Sequence, residues 1–399
     1  MLKLDKKQYY LLACSYGPDS MALFDMLLKQ GYNFGVAHVN YHFRTESVLE
    51  EEGLKEYCQK NNICLYVYDN KEKVTKNIEA RARDIRYNFF KKIYDEKRFD
   101  ALLVAHHFDD SIETYILQKR RNLKVFWYGL NTFSHNFGMN IIRPLLDYTK
   151  EDLLNYCKKY NVPYAIDLSN FSDDFLRNKI RHEIINHLSY SERINYQRKM
   201  IEENTKVNNI LKSFTDKNIE CVDVLSTLDG DEFIYAIYLL AERAQIFKIS
   251  RNNIKEIRKV ILSEKPNVYI KYKDFIFVKE YGKVYFTKDL FIDDNYLFII
   301  PHKMVLDTPY FYLDFTGDTS NRNVKDNDYP LTIRNASKDD LVKIKNYYKP
   351  IRRLFIDWKV PTRYRKRWPV ILNHNGVVIY VPRYRSDYVI KSDDNFFVK

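Results

Sequence analysis

The sequence predicts an α/β protein with a doubly wound parallel sheet in its N-terminal part, followed by smaller helical and α+β domains. An apolar segment, a polar turn and a helix follow one another between residues 9 and 28. Strands and helices then alternate as far as residue 105, which is the pattern of parallel βαβ units. Polar residues cluster where the predicted strands end, and ligands of such sheets bind outside the carboxyl ends of the strands.

The first strand and helix enclose a turn that is suited to phosphate. Tyr9 to Cys14 is an apolar run, and from Leu23 apolar residues recur at helical spacing. The turn between them consists of Ser15, Tyr16, Gly17, Pro18, Asp19 and Ser20. Backbone N–H groups at a helix N-terminus bind anions, whereas Asp19 would repel a phosphate unless a metal ion bridged the two. The turn therefore predicts a nucleoside triphosphate with Mg²⁺; the alternative is a simple turn capped by Asp19 or Ser20.

Polar residues also lie at the end of the second predicted strand, Phe34 to Val39. These residues are His38, Asn40 and Arg44. A helix over residues 47–60 and a strand over residues 63–68 continue the alternation. Each polar residue either contributes to a site at the strand ends or forms a hydrogen bond that orders the loop, and the sequence leaves both interpretations open.

An amphipathic helix is predicted between Asn77 and Tyr94. Its apolar face contains Ile78, Ala82, Ile85, Phe89 and Ile93, and the arginines among them are Arg81, Arg83 and Arg86. Such arginines usually form a solvated face of the helix. A single arginine that points at the strand ends could instead bind a phosphate.

The second dense group of chemically active residues follows a predicted strand over residues 101–105. It is the segment His106, His107, Phe108, Asp109, Asp110, Ser111, Ile112, Glu113 and Thr114. Asp110 and Glu113 have the spacing of a helix cap and its reciprocal partner. Capping does not account for two histidines and two aspartates at the end of one strand. We therefore predict a site whose carboxylates hold Mg²⁺ or a cationic substrate, with a histidine near phosphate.

The rest of the first domain is predicted to contain a surface segment and two helices. Residues 119–140 are interpreted as a basic and aromatic surface excursion, and a helix is predicted over Lys150 to Tyr160. Arg177 and Arg181 are four residues apart and would share one face of a later helix. Such a pair suits a phosphate or a carboxylate, and two solvated arginines are the alternative.

The C-terminal half is predicted to form further domains. Residues 189–220 are interpreted as a long helical linker, and helices are predicted over residues 233–245 and 252–262. A hairpin that turns at Tyr281 and Gly282 is predicted within residues 267–287. The predicted domain ranges are 1–188, 189–220, 221–300 and 325–399.

Charge and composition point to a polyanionic partner. The chain carries 65 Lys or Arg against 53 Asp or Glu, a net charge of +12, which attracts nucleic acid without identifying it. Between Lys343 and Arg367 there are ten basic residues and one acid, Asp357, interleaved with tyrosine and tryptophan. This composition is typical of an RNA-binding surface; a soluble basic face is the alternative.

Cysteine usage and hydropathy limit the cellular setting. The five cysteines form no C-x-x-C pair, so the sequence predicts neither a zinc site nor a disulfide framework. It contains no run of about 18 apolar residues of the kind that crosses a membrane. We expect a reduced cytoplasmic protein with no membrane partner.

Together, these motifs resemble those of the tRNA(Ile)-lysidine synthases, a family of PP-loop ATP pyrophosphatases. The similarity rests on SYGPDS, AHVNYHFR, EARARDIRY, AHHFDDSIET, RPLL and a D-x-S-N sequence followed by RNKIRH, which lie in the family's order between residues 10 and 187. A fainter similarity, KPIRRLFIDWKVPTRYRKRWPVI, extends it into the last domain.

The resemblance implies a two-step ligation. Enzymes of this family use ATP to adenylate the wobble cytidine of tRNA(Ile) with a CAU anticodon at ring position 2, and pyrophosphate leaves. The amine of free L-lysine then displaces AMP to form lysidine. ATP and Mg²⁺ are the implied co-substrate and cofactor, tRNA(Ile) and lysine are the implied partners, and a homodimer is left open.

The resemblance also implies roles for individual residues. ATP would be bound by Ser15, Tyr16, Gly17, Pro18, Asp19, Ser20 and His38, with Asp19 as the metal ligand. Arg86 and His106 would stabilise charge around the α-phosphate. The lysine ammonium would be held by Asp110 and Glu113, and Arg177 or Arg181 would face the substrate carboxylate or phosphate. The tRNA would be bound by Arg352, Arg353, Arg363, Arg365 and Arg367.

The phosphate-binding turn departs from the family pattern. Tyr16 stands where the family has the first glycine of its loop, and a tyrosine tolerates positive φ poorly and would crowd the phosphates. This departure keeps a catalytically weakened tRNA-binding paralogue as one alternative. Another PP-loop tRNA-modifying enzyme, such as a tRNA thiolase, is the second, although the cysteine spacing gives no reactive or cluster-binding set.

Overall fold

The computed structural model describes residues 2–42, 46–70, 78–165, 176–288, 295–316, 324–344, 346–384 and 396–398. Within the helices, the side chains of residues 46, 78–80 and 176–178 lie outside this description. The chain divides into two compact units, Met1–Ile210 and Leu211–Lys399.

The first unit is a sheet between two layers of helices. Its strands are β1 (Tyr9–Ala13), β2 (Asn33–Asn40), β3 (Leu65–Asp69), β4 (Ala101–Val104), β5 (Phe133–Asn136) and β6 (Met139–Ile142). Its helices are α1 (Pro18–Lys29), α2 (Glu46–Lys60), α3 (Ile78–Glu96), α4 (Phe108–Arg120), α5 (Lys150–Tyr160), α6 (Leu176–Glu183) and α7 (Tyr190–Lys212). Two apolar cores cover the sheet: Leu12, Phe24 and Leu103 lie in one, and Leu11, Phe90 and Leu102 lie in the other.

The strand order places a crevice at the ends of β1 and β4. The sheet runs β3-β2-β1-β4-β6-β5, and β5 alone of the strands described there is antiparallel. The predicted doubly wound parallel sheet is thus confirmed. The chain moves outward from β1 to β3 and returns to β4 beside β1, so the order reverses between β1 and β4. The turn after β1 and the segment after β4 therefore meet at the position where such sheets bind ligands.

The interpretation of residues 119–140 as a surface excursion was wrong in its second half. Met139 and Ile141 are buried on β6, which extends the parallel sheet, and β5 closes its edge. Each strand has four residues, and the edge strand β5 is mostly exposed and polar. An apolar period of two is not recognisable over so short and polar a stretch.

Helix α7, which was predicted as part of a linker, packs against the first unit. Asn204 is buried on this helix: its side-chain oxygen accepts the backbone N–H of Tyr128 at 2.7 Å, and its amide nitrogen donates to the carbonyl of Tyr128 at 3.0 Å. Met200 is also buried on the same helix. The polar composition of α7 therefore includes a buried face that ties it to the sheet domain.

The second unit combines helices with small antiparallel sheets. Its helices are α8 (Val222–Thr227), α9 (Gly230–Arg243), α10 (Arg251–Ile261), α11 (Ile351–Asp357) and α12 (Thr362–Arg365). Its strands are β7 (Val268–Lys271), β8 (Ile276–Glu280), β9 (Lys283–Thr287), β10 (Leu297–Ile300), β11 (Val305–Asp307), β12 (Phe311–Asp314), β13 (Leu331–Asn335), β14 (Leu341–Ile344), β15 (Tyr347–Pro350), β16 (Pro369–Leu372), β17 (Val378–Tyr380) and β18 (Phe396–Val398).

Strand pairing refines the predicted division of the C-terminal half. β8 and β9 form the predicted hairpin, and Tyr281 and Gly282 both have positive φ, as a two-residue turn requires. β10, which the sequence assigned to the middle domain, pairs with β13 of the last domain. Long-range pairing decides this membership, and the domain boundaries stay a prediction.

None of the described helices combines the length and the apolar character that crossing a bilayer requires.

Candidate active site

The turn after β1 forms a small cradle at the start of α1. Gly17 is the N-cap residue and Pro18 is the first helical residue, so the first-turn N–H groups have no acceptor within the helix. Ser20 lies inside the turn: its hydroxyl accepts the N–H of Ser15 at 3.3 Å and donates to the carbonyl of Gly17 at 3.0 Å. These bonds hold the backbone with its helix N-terminus directed at the crevice, an arrangement that binds anions.

Tyr16 adopts the conformation that the family's glycine would allow. Its φ is +63°, a left-handed value that is costly for a tyrosine. Its carbonyl accepts the N–H of Ala165 at 3.0 Å. A Cβ added at Gly53 of α2 would lie 2.5 Å from the Tyr16 hydroxyl oxygen, so the ring lies against α2 in a space that only a glycine leaves open. The backbone strain that a tyrosine was expected to cause at this position is present. The ring itself packs against α2 at Gly53.

Asp19 forms an ion pair in the crevice. Both of its carboxylate oxygens accept from Lys150 Nζ at 2.7 Å. Lys150 is the first residue of α5, and its backbone N–H donates to Asp109 at 2.9 Å. The position beside Asp19 is therefore one that a cation favours.

The start of α4 differs from the predicted cap. His107 is the N-cap residue, and its backbone N–H donates to the carboxylate of Asp110 at 2.9 Å. Asp110 therefore has the reciprocal role at the third helical position, and the interpretation with Asp110 as the cap and Glu113 as its partner was wrong by one turn. The Glu113 side chain is 3% exposed and is directed to another partner.

Arg181 connects the two carboxylates that were predicted to hold lysine. Its Nη2 atom lies 3.0 Å from Asp110 Oδ1 and 3.0 Å from Glu113 Oε2. Burial by itself raises the pKa of Asp110, but His107 and Arg181 hold it below its usual value. Asp110 and Glu113 thus converge on a single nitrogen atom, and their role toward lysine stays a prediction.

A second arginine compensates Asp109. Arg193 of α7 donates from Nε to Asp109 Oδ1 at 2.8 Å, and the side chain of Asp109 is 4% exposed. The same arginine donates to the backbone carbonyls of Leu188 and Ile185. The sequence analysis did not find Arg193 or Lys150, because their partners lie 84 and 131 residues away along the chain.

His107 lies at the centre of these acids. Its Nε2 atom is 3.4 Å from Asp110 and 3.8 Å from Asp19, and its Nδ1 atom is 3.9 Å from Asp109. The residue is 5% exposed, and Nδ1 has no hydrogen-bond partner among the described residues. We refer to Asp19, His107, Asp109, Asp110 and Glu113 as the acidic cluster.

His106 is in contact with a buried arginine. Arg143 donates from Nε to His106 Nδ1 at 3.3 Å, and from Nη1 to the Asn131 carbonyl at 2.8 Å and to Ser134 Oγ at 3.0 Å. Arg143 belongs to the RPLL motif, to which the sequence analysis gave no role. The RPLL motif was the signal in the sequence that could have identified Arg143 as a site residue. Only the fold shows that the arginine contacts His106.

Other predicted site residues lie around the crevice. His38 is buried, and its Nδ1 lies 2.9 Å from the carbonyl of Cys14, immediately before the turn. Asn40 donates to Glu51 at 2.8 Å and to the Ser47 carbonyl at 3.3 Å, and these bonds connect the end of β2 to the start of α2. Arg86 is exposed on α3, and the ion pairs described for the acidic cluster do not include it.

Two predicted residues fall outside the description. These are Arg44 and the side chain of Arg177, so the choice between Arg177 and Arg181 stays a prediction.

The C-terminal arginines fall into two groups. Arg352 and Arg353 are exposed on α11. The guanidinium of Arg363 stacks 4.4 Å from the ring centre of Tyr285 and 4.7 Å from that of Tyr364. Arg365 donates to the Val360 carbonyl and to the Tyr281 hydroxyl. Arg363 and Arg365 therefore stabilise the unit internally, and Arg367 is half-buried beside them.

Comparison with known proteins identifies the family. A model of the PP-loop domain matches residues 1–188, and a model of the TilS substrate C-terminal domain matches residues 331–395. The tRNA(Ile)-lysidine synthase of Mesoplasma florum is 30% identical to the chain, over 92% of this chain and 94% of that protein. The chain belongs to the tRNA(Ile)-lysidine synthase family. The family, the enzyme class and the use of ATP that the sequence predicted are thereby confirmed.

Two further tRNA(Ile)-lysidine synthases show how much of the chain the family similarity covers. That of Mycoplasmopsis pulmonis is 32% identical over 67% of this chain and 96% of its own length. That of Mycoplasma mycoides subsp. mycoides is 28% identical over 95% of this chain and 98% of its own length. The family similarity therefore extends over both units, while the individual site residues stay predictions.

The contact between Tyr16 and Gly53 yields a stability prediction. Gly53→Ala should normally stabilise a helix by about 0.5–1 kcal/mol, but here the new methyl group would displace the Tyr16 ring. We expect Gly53→Ala to give no gain in the free energy of unfolding when Tyr16 is present, and to give this gain in the Tyr16→Gly background. Urea unfolding of the four proteins measures the coupling, for which we expect about 1 kcal/mol. Additive free energies of unfolding would contradict the contact.

Proposed function

We propose that this chain uses ATP to adenylate the wobble cytidine of tRNA(Ile) with a CAU anticodon and then joins free L-lysine to ring position 2 of that base. The observation that carries the proposal is the crevice between β1 and β4. There a helix N-terminus for phosphates faces a pair of carboxylates that converge on one cationic nitrogen. Membership of the tRNA(Ile)-lysidine synthase family supports the same activity.

The triphosphate would be bound by the turn from Ser15 to Ser20. Mg²⁺ typically binds one or two protein carboxylates together with substrate phosphates and water, and Asp19 offers such a carboxylate. The donor set fits this cation, because Lys150 already places a positive charge at 2.7 Å from both oxygens of Asp19. When bound, Mg²⁺ would neutralise charge on the phosphates, and Lys150 would remain to pair with Asp19 or with a phosphate.

Adenylation makes the base reactive. A carbonyl oxygen is a poor leaving group, so the oxygen at ring position 2 first forms a bond to the α-phosphorus, and pyrophosphate leaves. His106 and Arg86 would stabilise the charge that develops there. The amine of lysine then forms a bond to the ring carbon, and the bond to the AMP oxygen breaks.

Asp110 and Glu113 would hold the ammonium of lysine. Arg181 Nη2 lies 3.0 Å from each carboxylate and occupies the position that the ammonium nitrogen would take. Since lysine must attack as a neutral amine, the carboxylates that dock its ammonium are placed to accept its proton. Arg181, once released, would face the carboxylate of lysine or a phosphate.

The exposed part of the basic C-terminal segment would bind tRNA. Arg352 and Arg353 are exposed on α11, and Tyr347 and Tyr348 are exposed on the adjoining strand β15. Arginine side chains track phosphates, and exposed rings stack on unpaired bases. Because Arg363 and Arg365 have partners within the protein, we assign the tRNA contact first to Arg352 and Arg353.

The alternative of a weakened paralogue rested on Tyr16. Its ring lies against Gly53 of α2, and its backbone has the positive φ that glycine adopts easily. We therefore favour an active enzyme. Incubating the protein with ATP, labelled lysine and the tRNA transcript tests this directly, since label in RNA is expected only from a lysidine synthase.

The phosphate cradle predicts the products of ATP. We expect AMP and pyrophosphate, because the chain has the PP-loop turn and no lysine-bearing Walker loop. Asp19→Ala should lower this turnover by roughly a hundredfold or more through loss of a preorganised charge. Asp147→Ala removes an exposed carboxylate and serves as the control. ADP as the main product would contradict the assignment.

The carboxylate pair predicts a defect in lysine use. Removing one partner of a buried charge costs on the order of 3 kcal/mol or more, and about 1.4 kcal/mol corresponds to tenfold. Glu113→Gln should therefore raise the lysine concentration for half-maximal rate by roughly a hundredfold, while adenylation continues. Glu203→Gln, which breaks a surface pair with Lys119, should leave it unchanged.

A purely structural role for Glu113 gives a different result. It predicts a lower melting temperature, because Arg181 loses a partner, together with normal lysine dependence. Measuring both quantities on the same Glu113→Gln preparation separates the two roles.

The two groups of arginines predict different phenotypes. Arg352→Ala with Arg353→Ala should weaken tRNA binding and reduce its salt dependence, by a slope of about 0.7–0.9 for each phosphate that is no longer neutralised. Arg363→Ala with Arg365→Ala removes the same charge but should mainly lower the melting temperature. Filter binding at several salt concentrations tests both pairs, and an unchanged slope for the first pair would place the tRNA elsewhere.

A further inference from the structure

Arg143 is a buried arginine whose described partners are neutral. It is 8% exposed and follows β6, at the site end of the sheet. Within the described residues, the hydrogen bonds of its side chain go to a histidine ring, a backbone carbonyl and a serine hydroxyl. Arg181 and Arg193, by contrast, pair with carboxylates. Burying a guanidinium that has no carboxylate partner costs free energy of folding. A specific role for the contact of Arg143 with His106 would explain why this cost is tolerated.

Hydrogen-bond chemistry fixes the direction of that contact. The Nε of a guanidinium carries a hydrogen and has no lone pair to accept with. The atom facing it, His106 Nδ1, must therefore accept, which it can do only when it carries no hydrogen. The single hydrogen of the neutral imidazole then resides on Nε2.

We infer that Arg143 is a positioning residue that holds His106 as the Nε2–H tautomer, so that the ring presents a hydrogen-bond donor on the side away from Arg143. This inference rests on the proposed function, in which His106 acts near the α-phosphate. A phosphate oxygen accepts hydrogen bonds and does not donate them. A neutral His106 ring can donate a hydrogen bond from Nε2 to a phosphate oxygen only as the Nε2–H tautomer. In the Nδ1–H tautomer, Nε2 would direct a lone pair at the anion.

The β5–β6 hairpin, together with Asn131 just before it, orients Arg143 in turn. Nη1 of Arg143 is held by the Asn131 carbonyl and by Ser134 Oγ of β5, and these bonds fix the plane of the guanidinium. The hairpin thus orients Arg143, and Arg143 orients the histidine. Such support from outside the reacting groups is what keeps a site in productive geometry.

His38 provides an internal reference. Its Nδ1 lies 2.9 Å from the carbonyl of Cys14, and a carbonyl can only accept, so Nδ1 carries the hydrogen. Burial lowers the pKa of His38, which favours a neutral ring. The two histidines should therefore show opposite tautomers in one spectrum.

The decisive variants are Arg143→Lys and Arg143→Gln. Both remove the paired contacts to the hairpin. Lysine is a donor only and preserves the constraint on Nδ1, whereas glutamine offers a donor and an acceptor and releases it. A purely structural role of Arg143 predicts similar behaviour of the two variants.

The tautomer is read from long-range proton–nitrogen correlation spectra of protein labelled with ¹⁵N-histidine. His106 is assigned by its loss in His106→Gln. We expect Nε2 to be protonated in the wild type and in Arg143→Lys, and averaged ring nitrogens in Arg143→Gln, with His38 unchanged throughout. A wild-type His106 protonated at Nδ1, or a glutamine variant identical to the wild type, would overturn the inference.

Single-turnover adenylation of tRNA tests the consequence for catalysis. Arg143→Gln should lower the rate constant by roughly a hundredfold, the typical loss for one misplaced donor, with little change in the ATP concentration required. Arg143→Lys should stay within about tenfold of the wild type. Equal losses in the two variants would overturn the positioning role. A wild type that forms the Nε2–H tautomer but no lysidine would instead refute the proposed function.

Discussion

The balance of charge in the crevice between β1 and β4 is the constraint on which the first unit depends. The acidic cluster brings Asp19, Asp109 and Asp110 around the imidazole of His107, and Glu113 shares Arg181 with Asp110. Carboxylates gathered in so small and poorly solvated a space repel one another unless cations reach them. The compensating cations are Lys150, Arg181 and Arg193, which come from three different helices.

This arrangement links folding to the site. Helices α5, α6 and α7 follow the sheet in the chain, and each supplies one cation that reaches back to the carboxyl ends of β1 and β4. The side chain of Asp109 is 4% exposed, so loss of its arginine would leave a charge without compensation. The helices that complete the domain thereby also shape the crevice.

The accommodation of Tyr16 illustrates how a single backbone requirement is met. The turn needs a left-handed residue at this position, and the chain supplies one at φ +63° without glycine. The cost is offset by contacts of the ring with α2 and with the apolar core. The turn lacks the family's glycine at position 16, and a glycine at position 53 of α2 leaves the space that the Tyr16 ring occupies.

The sequence by itself determined strands β1 to β4 of the sheet, the turn after β1, and the acidic residues that follow β4. Apolar runs identified the long strands and helices, and polar residues at strand ends are recognisable because a doubly wound sheet brings those ends together. It did not reveal the short strands β5 and β6, because their mixed polar and apolar residues form neither an apolar run nor a recognisable period. Nor did it show which cations meet the acids: Lys150 lies 131 residues from Asp19, and Arg143 lies 37 residues from His106. Local pattern contains no information about pairs so distant along the chain, and only the tertiary structure, by placing the ends of α5, α6, α7 and β6 at one edge of the sheet, decided them.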